Sequence, residues 1–234
     1  MRHQTRAERM PEKIRVEVTP DQGVSAIIYA ATGRNHAGVT LVLGHGAGAS
    51  QTSAFMVSFA TELASRGIDA VTFNFLYTEQ GRRIPDANAR LEACYRAVIA
   101  TIRREKVGRG KLAIGGKSMG GRIASQVAAA GAPEVAGLVF LGYPLHPPGK
   151  PDQLRAKHLS DIKAPMLFVQ GARDAFGTPD ELRPIIGKLE APADLHVVAG
   201  GDHSFKVLKR AGFSQQETDK AVLACVEQWL RKTL

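Results

Sequence analysis

Three side chains in this 234-residue chain have the types and the order needed for acyl transfer. Ser118 lies in Gly116-Lys117-Ser118-Met119-Gly120, directly after the strand-like run Lys111 to Ile114 and directly before an alanine-rich stretch. Strand, sharp turn and helix in that order make a nucleophile elbow. Its glycines remove the Cβ atoms that a tight, strained turn cannot hold, and its hydroxyl is left exposed. A serine hydroxyl is a weak nucleophile at neutral pH. It needs a base within hydrogen-bond reach, and that base needs an acid to orient it. His203, in Gly201-Asp202-His203-Ser204, is the candidate base. Asp174, in Gly171-Ala172-Arg173-Asp174, is the candidate acid. Asp180 and Asp202 are the alternatives for that role. Asp202 adjoins the imidazole it would have to orient, and Asp180 is expected in the first turn of a helix, where its charge suits the dipole.

A tetrahedral intermediate also needs two N–H donors aimed at its oxyanion. The spacing assigns one to Met119, the residue after the nucleophile, and the other to Ala47 in Gly44-His45-Gly46-Ala47-Gly48. His45 is expected to shape that loop and not to serve as a second base. Arg82, Arg83, Lys117 and Arg122 fall near the same edge and suggest a mild preference for anionic substrates, unless they pair with carboxylates.

The elements that must hold these groups follow from hydrophobic periodicity. Val16 to Val18 and Ala26 to Ala30 read as a hairpin across the turn at Pro20-Asp21-Gln22-Gly23. Val39 to Leu43, Ile68 to Phe73, Lys111 to Ile114, Val135 to Leu141, Pro165 to Val169 and Leu195 to Val198 read as buried strands. Between them, helices are expected over about 54–66, 87–104, 123–130 and 179–189, with Pro184 kinking or ending the last of these. A final helix is expected over about 217–231. Strands alternating with helices imply an α/β fold, a mostly parallel sheet with helices on both faces. Asp174 and His203 then follow the C-terminal ends of strands, where an open parallel sheet places its site. The longest irregular stretch, Tyr143 to Ala164, is too short for a large lid.

Bulk composition agrees with one domain. A hydrophobic content of 44% supplies a core. Residues 1–12 are expected to form a flexible basic N-terminus and residues 13–234 a single domain. Cys94 and Cys225 fall at apolar helix positions and read as core residues, not as a disulfide or metal framework. No apolar run is long enough to cross a membrane. The basic N-terminus lacks the apolar stretch of a secretory signal, so a cytoplasmic location is expected. The net charge of +9 is spread over scattered groups, such as Arg2, Arg6 and Arg9, Arg103, Arg104 and Lys106, and Lys206, Lys209 and Arg210. They are not interleaved with aromatics, so no specific nucleic acid and no membrane partner is expected. The oligomeric state is not encoded legibly.

Two motif mimics are excluded by their surroundings. Gly116-Lys117-Ser118 resembles the tail of a phosphate-binding loop, but Lys111 stands where that loop needs its first glycine. Gly44-x-Gly46-x-x-Ala49 resembles a dinucleotide fingerprint, but Asn74 stands where an acid would hold the ribose. No metal-binding spacing occurs, and no cofactor is implied.

Taken together, His-Gly-Ala-Gly-Ala (45–49), Gly-Lys-Ser-Met-Gly-Gly-Arg (116–122) and Gly-Asp-His-Ser-Phe (201–205) resemble the α/β-hydrolases, nearly end to end. They resemble the small branch that includes testis-expressed protein 30 and KANSL3-like proteins. In compactness the chain is similar to dienelactone hydrolases, which carry cysteine where this chain has Ser118. The resemblance implies an α/β-hydrolase fold with a minimal cap and a serine hydrolase of esters, thioesters or amides. It implies no cofactor and a small-molecule ester as partner. The same branch contains proteins with scaffold roles, so a hydrolase fold kept as an interaction module is the alternative.

Overall fold

The computed structural model describes residues 10–32, 35–105, 110–132, 134–208, 212 and 214–234. Arg2, Arg6, Arg9, Lys106, Lys209 and Arg210 lie outside them, as does most of the segment expected to stand apart at the N-terminus. In chain order the elements are β1 (Glu12–Thr19), β2 (Gln22–Tyr29), β3 (Val39–Gly44), α1 (Ala54–Ser65), β4 (Asp69–Phe73), α2 (Leu76–Glu79), α3 (Asn88–Arg104) and β5 (Lys111–Lys117). They continue with α4 (Met119–Ala129), β6 (Val135–Leu141), β7 (Met166–Gly171), α5 (Pro179–Ile186), β8 (Ala193–Val198) and α6 (Gln215–Thr233).

The strands form one sheet in the order β1-β2-β4-β3-β5-β6-β7-β8. β1 pairs antiparallel with β2, and β2 antiparallel with β4. From β4 to β8 every pairing is parallel. Strands β3 and β7 are buried along their whole length, as their unbroken apolar runs require of strands covered on both faces. One face is covered by α3, α4 and α5, with Tyr95, Ile123, Phe140 and Phe168 in its core. The other is covered by α1 and α6, with Phe59, Leu63, Val226 and Trp229. Cys94 is buried on α3 and Cys225 is half-buried on α6, and neither is in a disulfide.

The chain steps from β3 to β4 on one side, then returns to place β5 on the other side of β3. That reversal opens a crevice at the C-terminal ends of β3 and β5, the switch point where α/β sheets bind ligands. The segment after β3 and the turn after β5 face each other across it.

Several elements depart from the expected bounds. β5 runs on through Gly115 and Gly116 to Lys117, because both glycines keep their ladder with β3 and β6. α4 starts at Met119, four residues before the first apolar position that signals it. α5 ends at Ile186 with Gly187 as its C-cap, so Pro184 lies inside a helix that stops two residues later. α2 was not expected: its N-cap Phe75 makes no side-chain cap. Between β6 and β7 the described chain holds one short 3-10 turn, Lys157–Asp161, packed on α4. The cap over the crevice is correspondingly slight.

Candidate active site

The turn after β5 is built from close backbone approach. Ser118 adopts φ 50°, ψ −114°, a conformation that L-residues avoid and that marks stored strain. A Cβ on Gly116 would stand 2.2 Å from the carbonyl oxygen of Gly44, and one on Gly120 would stand 2.1 Å from the same atom. Only glycine permits the end of β3, the turn and the first turn of α4 to meet in this way. Behind the turn, the buried Tyr95 hydroxyl hydrogen-bonds the carbonyl oxygens of Val42 and Gly115 and accepts from the N–H of Gly115. It ties β3 to β5 beneath the serine.

The structure brings Ser118, His203 and Asp174 together. Nε2 of His203 lies 2.8 Å from Oγ of Ser118. Nδ1 of His203 lies 2.9 and 2.8 Å from the two carboxylate oxygens of Asp174. A carboxylate only accepts, so Nδ1 carries the proton and Nε2 is free to accept from the serine hydroxyl. Asp174 is buried, at 1% exposure. It is held by the N–H of Phe176, 2.8 Å from Oδ1, and by Nε2 of Gln170, 2.8 Å from Oδ2. Neither alternative acid reaches the imidazole ring. Asp180 is on the exposed first turn of α5, 3.6 Å from Arg183. Asp202 accepts from the N–H groups of Ser204 and Lys206 and shapes the loop that carries His203.

Two contributors were not legible in the sequence, and a third, Lys117, was expected at this edge but not in the role it has. Gln170 is fully buried, donates from Nε2 also to the carbonyls of Tyr143 and Gly177, and accepts from the Tyr143 N–H. A glutamine ending a strand of apolar residues is the only signal it leaves. Phe176 stacks on the His203 ring with centroids 4.2 Å apart. Lys117 turns its amine onto the backbone carbonyl of His203 and over the Phe205 ring, 5.1 Å from its centroid. Burial pushes that amine down to about 8, against the pull of the Asp174 and Asp202 carboxylates. Phe205 itself has φ 63°, a second strained position, in the loop that presents the imidazole.

Ala47 and Gly46 share a cavity of about 620 Å³ with Ser118 and His203. A Cβ on Gly46 would lie 3.7 Å from that of Ser118, so the loop after β3 passes directly beside the nucleophile. Met119 opens α4, so its N–H is one of the first-turn donors that no helix carbonyl satisfies. The loop is fixed from below by His45, which is wholly buried. Its Nδ1 donates to the carbonyl of Gly46 at 2.8 Å, and its Nε2 accepts from the Phe75 N–H at 3.3 Å. Burial pushes its pKa down to about 4, partly offset by the Gly46 carbonyl, so the ring is neutral at pH 7. From the side, Asn74 accepts from the N–H of Gln51 and donates to Glu79.

Of the four cations expected near the edge, Arg82 pairs with Asp86 at 2.6 Å and Lys117 is engaged by the His203 carbonyl. Among the described residues, Arg122 reaches only the neutral side chains of Asn88 and Gln126. Arg83 is exposed.

Comparisons with known proteins agree with this architecture. Residues 37–231 match the family model for the alpha/beta hydrolase domain. A lidless serine hydrolase from Xanthomonas campestris superposes with a TM-score of 0.73 at 21% identity, covering 94% of each chain. A dienelactone hydrolase from Anabaena variabilis superposes at 0.73 and 18% identity, covering 97% of this chain and 99% of that one. A serine hydrolase homologue from Coxiella burnetii gives 0.69 at 18% identity, covering 95% and 97%. These distant likenesses carry the fold, while the family model spans most of the chain. Among the described residues no helix is long and apolar enough to cross a membrane. With its eight-stranded sheet, its strained serine turn at the switch point and the match over residues 37–231, this chain belongs to the alpha/beta hydrolase domain family.

Proposed function

We propose that the protein is a serine hydrolase that cleaves a carboxylic ester or thioester of a small substrate through an acyl-enzyme. The observation that carries this reading is the continuous relay from Ser118 Oγ through His203 to the buried Asp174 carboxylate. In the first half-reaction, His203 Nε2 takes the hydroxyl proton as Ser118 Oγ attacks the acyl carbon. The N–H groups of Ala47 and Met119 receive the developing oxyanion, and Asp174 stabilises the imidazolium. The imidazolium then gives its proton to the leaving alcohol or thiol, and the acyl-serine remains. Water, activated by the same imidazole, attacks the acyl-serine. Collapse of the second tetrahedral intermediate frees the acid and restores Ser118.

The motif resemblance to the testis-expressed protein 30 and KANSL3-like branch keeps the interaction module as the alternative, since that branch includes scaffold roles. The dienelactone hydrolase likeness supports small substrates. The test is fluorophosphonate labelling of the native protein beside Ser118→Ala, followed by hydrolysis of short p-nitrophenyl esters. Labelling and turnover that both vanish in the variant are expected. A well-folded native protein that neither labels nor turns over would overturn the reading in favour of an interaction module.

A further inference from the structure

Two cavities of opposite character meet at Ser118. The larger, about 620 Å³, is faced by Phe55 and Met56 of α1. Its exposed charges, Lys206 and Asp219, are of opposite sign, and Lys117 is turned to the His203 carbonyl. The smaller, about 200 Å³, lies on the other side of Ala47, Ser118 and Phe176, the three residues that line both. Its walls carry Arg122 of α4 and Arg155 of the segment between β6 and β7.

These two guanidinium groups share one wall beside the nucleophile. Among the described residues, no carboxylate lies within ion-pair distance of either one. They repel each other: burial, and after it the Arg155 charge, lowers the pKa of Arg122. The one acid on the wall is Asp86, and its carboxylate is already held by Arg82 at 2.6 Å and approached by Arg90 at 3.7 Å. The Asp86 carboxylate is thus committed to Arg82 and Arg90, and not to Arg122 or Arg155. Two guanidinium groups side by side, neither in an ion pair among the described residues, cost the fold free energy, a cost that an anionic ligand would offset. Arginine's planar fork suits a carboxylate.

Building on the serine hydrolase reading, we infer that the substrate is an amphiphilic ester whose scissile bond joins an apolar group to a carboxylate-bearing one. The apolar group occupies the cavity at Phe55 and Met56, and the carboxylate lies between Arg122 and Arg155. The ester carbon sits over Ser118 at their junction.

The test compares isosteric pairs that differ only in charge. Mono-octyl succinate is set beside octyl succinamate, and octanoyloxyacetate beside octanoyloxyacetamide, so that the carboxylate lies on either side of the ester. In one pair at least, the acid should exceed the amide in kcat/KM by about tenfold at low salt, the worth of one charge-assisted hydrogen-bonded pair. That ratio should shrink at high salt. Arg155→Gln and Arg122→Gln should each bring it toward one, mainly through KM. Amides turned over as fast as acids in both pairs, or variants that leave the ratio intact, would overturn the inference. Calorimetry with Ser118→Ala separates this from the hydrolase reading, because it needs no turnover. Acid bound more tightly than amide, with the difference lost in Ser118→Ala/Arg155→Gln, upholds the anionic subsite even if the native protein neither labels nor hydrolyses. No binding, or equal binding of acid and amide, rejects it.

Discussion

Acidification should destabilise this fold through His45 before most carboxylates titrate. The ring is wholly buried, with Phe75 and Tyr77 edge-on to it at 5.1 and 6.0 Å. Its Nε2 accepts from the Phe75 N–H, so a proton there would set donor against donor. Burial holds its pKa near 4, against 6.5 for a free histidine. The sign follows directly. Between pH 6.5 and 4 the unfolded chain binds this proton and the native chain does not, so stability falls as pH falls through that window. Above about pH 7 the group contributes no slope. At pH 5 the loss is about 2 kcal/mol, and it approaches about 3 kcal/mol below pH 4, since one unit is worth about 1.4 kcal/mol. The assay is urea unfolding of the native chain and His45→Gln at several values between pH 7.5 and 5. Glutamine can accept from the Phe75 N–H and does not titrate. The variant should be less stable at pH 7.5, and its stability relative to the native chain should rise by about 2 kcal/mol toward pH 5. His158 and His196, both also held below the ordinary value by burial, contribute to both chains and cancel in the difference. Curves that stay parallel over the window would refute the argument.

The remaining predictions concern the site and its supports. Ser118→Ala and His203→Ala should each lower kcat about 10⁴-fold or more, with the double variant little worse than either, because the groups act as a unit. Asp174→Asn should cripple turnover, and Asp180→Asn should leave it near normal, as steady-state rates on a p-nitrophenyl ester will show. Gln170→Leu should cost about 2–4 kcal/mol in urea unfolding, since it strands the carbonyls of Tyr143 and Gly177 and one oxygen of Asp174, and it should lower kcat more than KM. For Lys117 the pKa sign differs from a salt-bridged lysine. Its native value near 8 lies below the free value of 10.5, so stability should rise between pH 8 and 10.5, by at most about 3 kcal/mol. Thermal unfolding of Lys117→Met should lack that rise. Gly120→Ala forces a methyl group onto the Gly44 carbonyl and should destabilise by several kcal/mol while cutting the rate on every ester tested.

Sequence periodicity located the strands well where burial is complete on both faces. Val135 to Leu141 has the same bounds in the structure, because an unbroken apolar run has no other place to go. It failed where glycine replaces apolar signal. Gly115 and Gly116 contribute no hydrophobicity, yet they carry the ladder on to Lys117, and Gly120 and Gly121 hide the true start of α4. The positions of Ser118, Asp174 and His203 were readable because each follows a strand on the same edge, so one-dimensional order carries three-dimensional proximity. Their supports were not. Gln170, Phe176 and Tyr95 act through contacts with residues far away or around a turn, and no local pattern encodes a partner's location. The pairing of Arg82 with Asp86 and, among the described residues, the lack of such a partner for Arg122 were equally invisible, because both arginines look alike in the chain.

The meeting of Gly44, Gly116 and Gly120 through main-chain atoms alone has a consequence for how such a protein can diverge. The separation between the loop after β3 and the turn that bears Ser118 depends on no side chain that lines either cavity. Residues such as Phe55, Met56 and Arg155 can therefore drift, changing which molecule is admitted, without altering the spacing of the reacting groups. Selectivity and chemical competence sit on different parts of the chain. Replacing any one of the glycines leaves a clash that neither of the others can relieve. Random libraries confined to the cavity walls should accordingly yield altered preference far more often than inactive protein.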